Sequence, residues 1–310
     1  MRKYQKPATT IEQQLSLLEE RGMELDHASA YDYLAHIGFF RLRGYWIPFD
    51  QGAMDGQHQF REGTTFEQVL NLYVFDRELR LLVTDAIERI EVSVRNQWVH
   101  TLAQHHGSHG YLKSELYSSA RQLGRCIAEI SSEYERSKES HIRHYRKEYG
   151  DPDLPPIWAV VNIMTLGQFS HWLSNIKSKA IKTEIAKVYG LDQSVLCSFM
   201  HHLTVIRNIC AHHGRLWNRE VTVTMELPRS KPETIIPSLE KHPDPNQAPR
   251  QIYNTLVMLA YLMDLISPDN HWKHRLKCII NQHQIDTAMM GFPVDYQDRA
   301  IWKQTWEELA

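Results

Sequence analysis

The chain is poor in cysteine, and the little it has is scattered. Cys126, Cys197, Cys210 and Cys278 are the only four in 310 residues, with no C-x-x-C pair and no spacing that suggests a disulfide framework or a zinc site. They read as reduced, cytosolic thiols. Long apolar runs are missing too: no stretch of about 18 apolar residues occurs, and the first residues, MRKYQKPATTIEQQ, carry charge with no apolar segment behind it. Membrane spanning and secretion are therefore not expected, and a cytoplasmic location is. An excess of one charge is absent as well, since 35 basic and 37 acidic side chains leave a formal net charge of -2. A strongly charged partner would have to find a local patch rather than a global field. Finally, there is no H-E-x-x-H, no Gly-rich phosphate loop and no repeat with a period of 20 to 50 residues. His201, His202, His212 and His213 come without the carboxylates that metal sites recruit, so neither a metal nor another cofactor is expected.

What the chain does have is apolar content, 42%, arranged mostly at helical spacing. Thr9 and Glu12 form a potential capping box ahead of Ile11, Leu15 and Leu18, predicting a helix to Arg21; a second begins near Asp26 and stops at Gly38. The following FFRLRGYWIPF sets aromatics around Arg41 and Arg43. It suits either an RNA-holding surface or core packing of Phe39, Phe40, Tyr45 and Trp46, and the latter carries more weight. DQGAMDGQ reads as a Gly-rich turn. A second box at Thr64 and Glu67 opens the longest periodic segment, Phe66 to about Gln104.

Residues 111–150 predict one or two polar helices, and the run RHYRK at 143–147 is either a phosphate-facing strip or a solvated helix face. After Pro156, IWAVVNIMTLGQFSHWLSNI predicts a buried helix interrupted at Gly167. A helix from about Gln193 to Cys210 leads to a His-rich end; VTVTMEL beyond it alternates as a short strand would, and a helix is expected at about Arg250 to Ser267. The expectation is an all-α fold with at most a minor β element. Its expected regions are an N-terminal helical part (1–60), a helical core (61–230) and a helical extension (231–310) packed on that core, together one compact unit.

The segment RNICAHHGRLWNR carries the chemistry. Asn208 and His212, four apart, share one helix face, while Arg207, five before His212 and about 140° round the axis, needs a long side chain to reach the imidazole. Guanidinium grips a phosphate through two hydrogen bonds, and imidazole, with a reference pKa near 6.5, moves protons. The pair suits metal-free RNA cleavage, in which the ribose 2′-OH attacks the adjacent phosphorus. Arg95, Asn96 and His100 repeat the R-x4-H spacing and make a candidate second motif. His213 is a candidate auxiliary proton carrier or a backbone-bonded histidine, and Arg215, Arg219, Arg41 and Arg43 are candidate RNA contacts.

RNICAHHGRLWNR, GFFRLRGYW, FDRELRLLVTDAIERIEVSVRNQ and LPPIWAVVNIMTLGQFSHW together resemble the Abi (abortive infection) family of the AbiD and AbiF type, within the HEPN superfamily, over roughly residues 5 to 230. That resemblance implies a HEPN-like helical bundle, phage defence, and endoribonuclease activity at a site completed by two R-x4-H motifs. The second motif would come from Arg95 and His100 of the same chain or from another subunit, the latter making a homodimer. Implied partners are an RNA substrate and a restraining small RNA or antitoxin. The rival reading is a non-catalytic RNA-binding module using the same basic residues.

Overall fold

A computed structural model describes residues 7–54, 57–244 and 246–303. The fold is all-α, with one two-stranded exception. Twelve α-helices occur among the described residues. They are α1 (Ile11–Glu20), α2 (His27–Ile37), α3 (Phe39–Trp46), α4 (Phe66–His106), α5 (Ala120–Arg136), α6 (Ser140–Glu148), α7 (Ile157–Val160), α8 (Leu166–Asn175), α9 (Lys179–Lys187), α10 (Gln193–Ala211), α11 (Tyr253–Ile266) and α12 (Trp272–Gln282). The hairpin of β1 (Asp50–Met54) and β2 (Gln57–Phe60) occupies the segment expected to be a plain turn. Its antiparallel register pairs Asp50 with Phe60 and Met54 with Gln57, with an irregularity between Asp50 and Ala53.

The capping boxes lie one residue later than the sequence reading placed them. Thr10 Oγ1 accepts from Gln13 N while Gln13 Oε1 accepts from Thr10 N, and Thr65 and Gln68 repeat the arrangement at α4. Both starts read Thr-Thr-x-Glu-Gln, so each offers two boxes. At α4 the burial of Phe66 at the first helical position favours the second threonine as the cap.

The described chain divides into two compact units, the boundary falling inside α4. The first contains residues 1–79 and 279–285. In it Trp46 meets Phe60 edge-on, Tyr45 meets Tyr73 edge-on, and the Tyr45 hydroxyl donates to Asp76 at 2.6 Å. The second unit, residues 80–278 and 286–310, holds the remainder of α4 and the helices α5 to α11. There α10 packs on α8 and α9, and α8 on α5. Helix α11 is buried along nearly its whole length.

Two expectations fail in the second unit for identifiable reasons. The strand expected at VTVTMEL does not form, because no neighbouring segment pairs with it; the chain is pinned piecemeal instead. Val221 N donates to Arg250 O, His202 Nδ1 to Val223 O and Glu226 N to the Ser198 hydroxyl. The alternation survives only as burial of Val221 and Met225. The helix expected to break at Gly167 breaks earlier, between α7 and α8, where Thr165 and Gln168 form a capping box. Gly167 lies inside α8 for a packing reason: a Cβ there would come within 3.3 Å of Thr204 Cγ2 on α10.

Candidate functional site

The end of α10 is built from a buried and an open side. Leu203, Ile206 and Cys210 face the core, which turns Asn208 and His212 outward, both exposed and one turn apart, with Arg207 half-buried beside them. His212 caps the helix, its N–H donating to Asn208 O at 3.0 Å. His213 N then donates to Cys210 O, and Gly214 N to Ile209 O at 2.8 Å, which closes the helix with the left-handed residue at position 213. That residue is usually glycine; here His213 holds it at φ 57°. Among the described residues, no hydrogen bond or ion pair engages the side chain of Arg207, Asn208 or His212.

Downstream, Leu216 and Trp217 bury and fix the turn, and Arg219, exposed, reaches back to donate to the carbonyl of the half-buried Arg215 at 3.3 Å. Trp217 thus serves as an anchor.

Arg95 has a different setting. The break between α7 and α8 leaves the carbonyls of Val161 and Met164 without helical partners, and Arg95 supplies them: Nη1 donates to Val161 O at 2.7 Å and Nη2 to Met164 O at 2.8 Å. Nη2 also pairs with the Glu91 carboxylate, and the guanidinium carbon lies 5.6 Å from the centre of the Phe169 ring. Burial holds this guanidinium below the usual arginine range; Glu91 opposes the shift and the positive charge of Arg207 adds to it. The two arginines are therefore within electrostatic reach of one another. Asn96 is exposed, and His100, also exposed, accepts from Gln104 Nε2 at 2.9 Å.

Arg41 and Arg43 belong to the first unit, both exposed on α3. The aromatics around them split. Tyr45 and Trp46 are core, Phe39 lies half-buried at 4.9 Å from the Trp46 ring centre, and Phe40 is 84% exposed. In the basic run, Arg146 wraps onto Tyr134, while Arg143 and Lys147 are exposed. Burial pushes the Cys126 and Cys197 thiols up to about 11. Among the described residues, no cluster of three or more His, Cys, Asp or Glu could hold a metal ion.

The model of the Abi-like protein family matches residues 32–218, over half of the chain, from within α2 to the turn after α10. The chain belongs to the Abi-like family. No curated protein and no solved structure matches it. Membership points to a defence-related role of the abortive-infection kind, and the matched span of this Abi-like protein ends just beyond the Arg207–His213 turn. No helix among its described residues is long and apolar enough to cross a membrane.

One feature of the site was not legible beforehand. The clamp of Arg95 on two carbonyls depends on a helix break that the sequence reading placed three residues late, at Gly167 rather than Met164. Its signal was Thr165-x-x-Gln168, a third box of the kind that starts α1 and α4.

Proposed function

We propose that this Abi-like protein is a metal-independent endoribonuclease of the HEPN kind, acting in abortive infection. The observation that carries the reading is the contrast between two R-x4-H motifs. Arg207, Asn208 and His212 are uncommitted at an open helix end, whereas the Arg95 guanidinium is committed to closing a helix break. Polar side chains that no structural duty explains are the ones available to a substrate.

In this reading Arg207 holds the scissile phosphate and Asn208 orients it. His212 takes the proton of the 2′-OH as the 2′-oxygen bonds to phosphorus and the bond to the 5′-oxygen breaks. A proton delivered to the departing 5′-oxygen from a second imidazole completes the step, leaving a 2′,3′-cyclic phosphate and a 5′-OH end. Because Arg95 is engaged elsewhere, the second motif is assigned to a second copy of the chain.

The test is incubation of purified protein with labelled RNA in EDTA, beside Arg207→Ala and His212→Ala. Wild-type cleavage to cyclic-phosphate ends should fall by at least about 100-fold in each variant, the scale of one general base or one phosphate clamp. Affinity should change less, since phosphate contacts elsewhere supply much of binding. RNA that stays intact in the wild type while still binding would make the protein a binding module instead.

A further inference from the structure

Seven of the eight tryptophans are described, and six of them are buried: Trp46, Trp98, Trp172, Trp217, Trp272 and Trp302. The seventh, Trp158, is 53% exposed. It stands on α7 between Ile157 and Val160, which are buried, so the helix is anchored while this one indole is turned outward. Tyr149, just after α6, is likewise 57% exposed. Both rings border one depression of about 560 Å³, which is within the size range of small-ligand sites.

Neighbouring rings hold these walls in place. Tyr145 lies 5.2 Å from Tyr149 and 6.5 Å from His109, and His144 meets Tyr149 edge-on at 6.3 Å. The Tyr145 hydroxyl donates to Pro152 O at 2.7 Å, which ties the residue after Asp151 to this ring cluster. His109 is fixed in turn, its Nε2 donating to Leu154 O at 3.1 Å. Asp151 borders the same depression, and among the described residues no hydrogen bond or ion pair engages its carboxylate. It is the one carboxylate of the described lining, which contains no lysine or arginine; His141 and His144 are its other titratable members beside His109 and the tyrosines. The cations of α6 stand outside it, and Lys147 is paired with Glu148 at 3.1 Å.

We infer that this depression is a binding site for a small organic cation with an alkylated ammonium head, held by the rings of Trp158 and Tyr149 and by the carboxylate of Asp151. The face of an aromatic ring is negative and attracts a cation, that of tryptophan most strongly, and rings grouped around a cleft are how proteins take quaternary ammonium groups. An uncommitted carboxylate at the same cleft supplies the counter-charge. An anion, by contrast, would meet the ring faces and Asp151 with no lysine or arginine in the described lining to offset them. Neither Arg207 nor His212 borders the depression, so this site is separate from the proposed cleavage residues and does not rest on the RNA reading.

The test is calorimetric titration of the full chain with choline as the probe cation and with its neutral isostere, 3,3-dimethylbutan-1-ol, in wild type, Trp158→Ala, Trp158→Phe and Asp151→Asn at pH 8. Wild type should bind choline about tenfold more tightly than the alcohol, because only the charge differs between them. Trp158→Ala should weaken choline binding about tenfold, and Trp158→Phe should keep part of it, since phenylalanine retains a ring face. Asp151→Asn should weaken choline about threefold, the scale of one exposed ion pair, and leave the alcohol unchanged. Circular dichroism should show native helicity in every variant, and choline should raise the melting temperature of the wild type. Equal affinity of the wild type for choline and the alcohol overturns the site, as does no choline binding up to about 10 mM. Should Trp158→Ala lose its helicity, Asp151→Asn decides, and unchanged choline affinity in that variant overturns the proposal. RNA cleavage that persists in Asp151→Asn, whatever its choline affinity, leaves the nuclease reading standing, so the two can fail separately.

Discussion

Arg95 and Arg207 show how little a motif says about the duty of its residues. Both begin R-N and both precede a histidine by five positions, yet one sits 13% exposed against two carbonyls and a carboxylate while the other has no such partners among the described residues. Truncating Arg95 would strand the Val161 and Met164 carbonyls and leave Glu91 unpaired, a loss of about 3 kcal/mol. Arg207→Ala removes no hydrogen bond and should cost under about 1 kcal/mol. Thermal or urea unfolding of the two variants therefore separates a fold-holding arginine from the one proposed to hold the substrate. If Arg207→Ala proves the more destabilising, the assignment is reversed. The sequence alone could not make this distinction, because spacing reports which face a side chain occupies and nothing about what lies opposite.

At the scale of elements, α10 is where packing and site meet. It is held from behind by His202, whose Nδ1 donates to Val223 O at 2.6 Å and whose Nε2 accepts from the Thr255 hydroxyl at 2.8 Å, joining the helix to the 221–227 segment and to α11. Burial lowers the His202 pKa below its ordinary 6.5, with the hydrogen bond to Val223 opposing and the charge of His201 assisting. The unfolded chain thus takes up the proton first. The stabilisation from neutral His202 is complete above about pH 6.5 and is lost as the pH falls below it. Melting temperature should decline from pH 7.5 to 5 more steeply in the wild type than in His202→Gln, and parallel curves would mean that His202 stays uncharged in both states or is not coupled to folding.

The helices themselves were largely readable. Period and caps gave α1, α2, α4, α10 and α11 to within a few residues, because their buried faces repeat along one continuous segment. What was not readable depended on neighbours. VTVTMEL alternates but has no partner strand, the β1–β2 hairpin lies where only a turn was visible, and the apolar stretch after Pro156 hides both a break and an outward tryptophan. Segment-level patterns record how much apolar surface must be buried, and not what covers it.

For the molecule as a whole, the proposed cleavage requires a second imidazole. A single chain offers His100, which is exposed and bonded only to Gln104 among the described residues, on a helix whose arginine is occupied. A second copy offers another Arg207, Asn208 and His212, all presented at a helix end without internal partners. The second arrangement requires that activity belong to a dimer. The active species should therefore have twice the 36.4 kDa mass of one chain, and activity per chain should fall on dilution below the dimer dissociation constant. His100→Ala, which removes only an exposed contact, should leave cleavage within about twofold of wild type, while His212→Ala abolishes it. A monomer that cuts RNA at constant specific activity, and loses it with His100→Ala, would place both motifs in one chain and return Arg95 to the reaction.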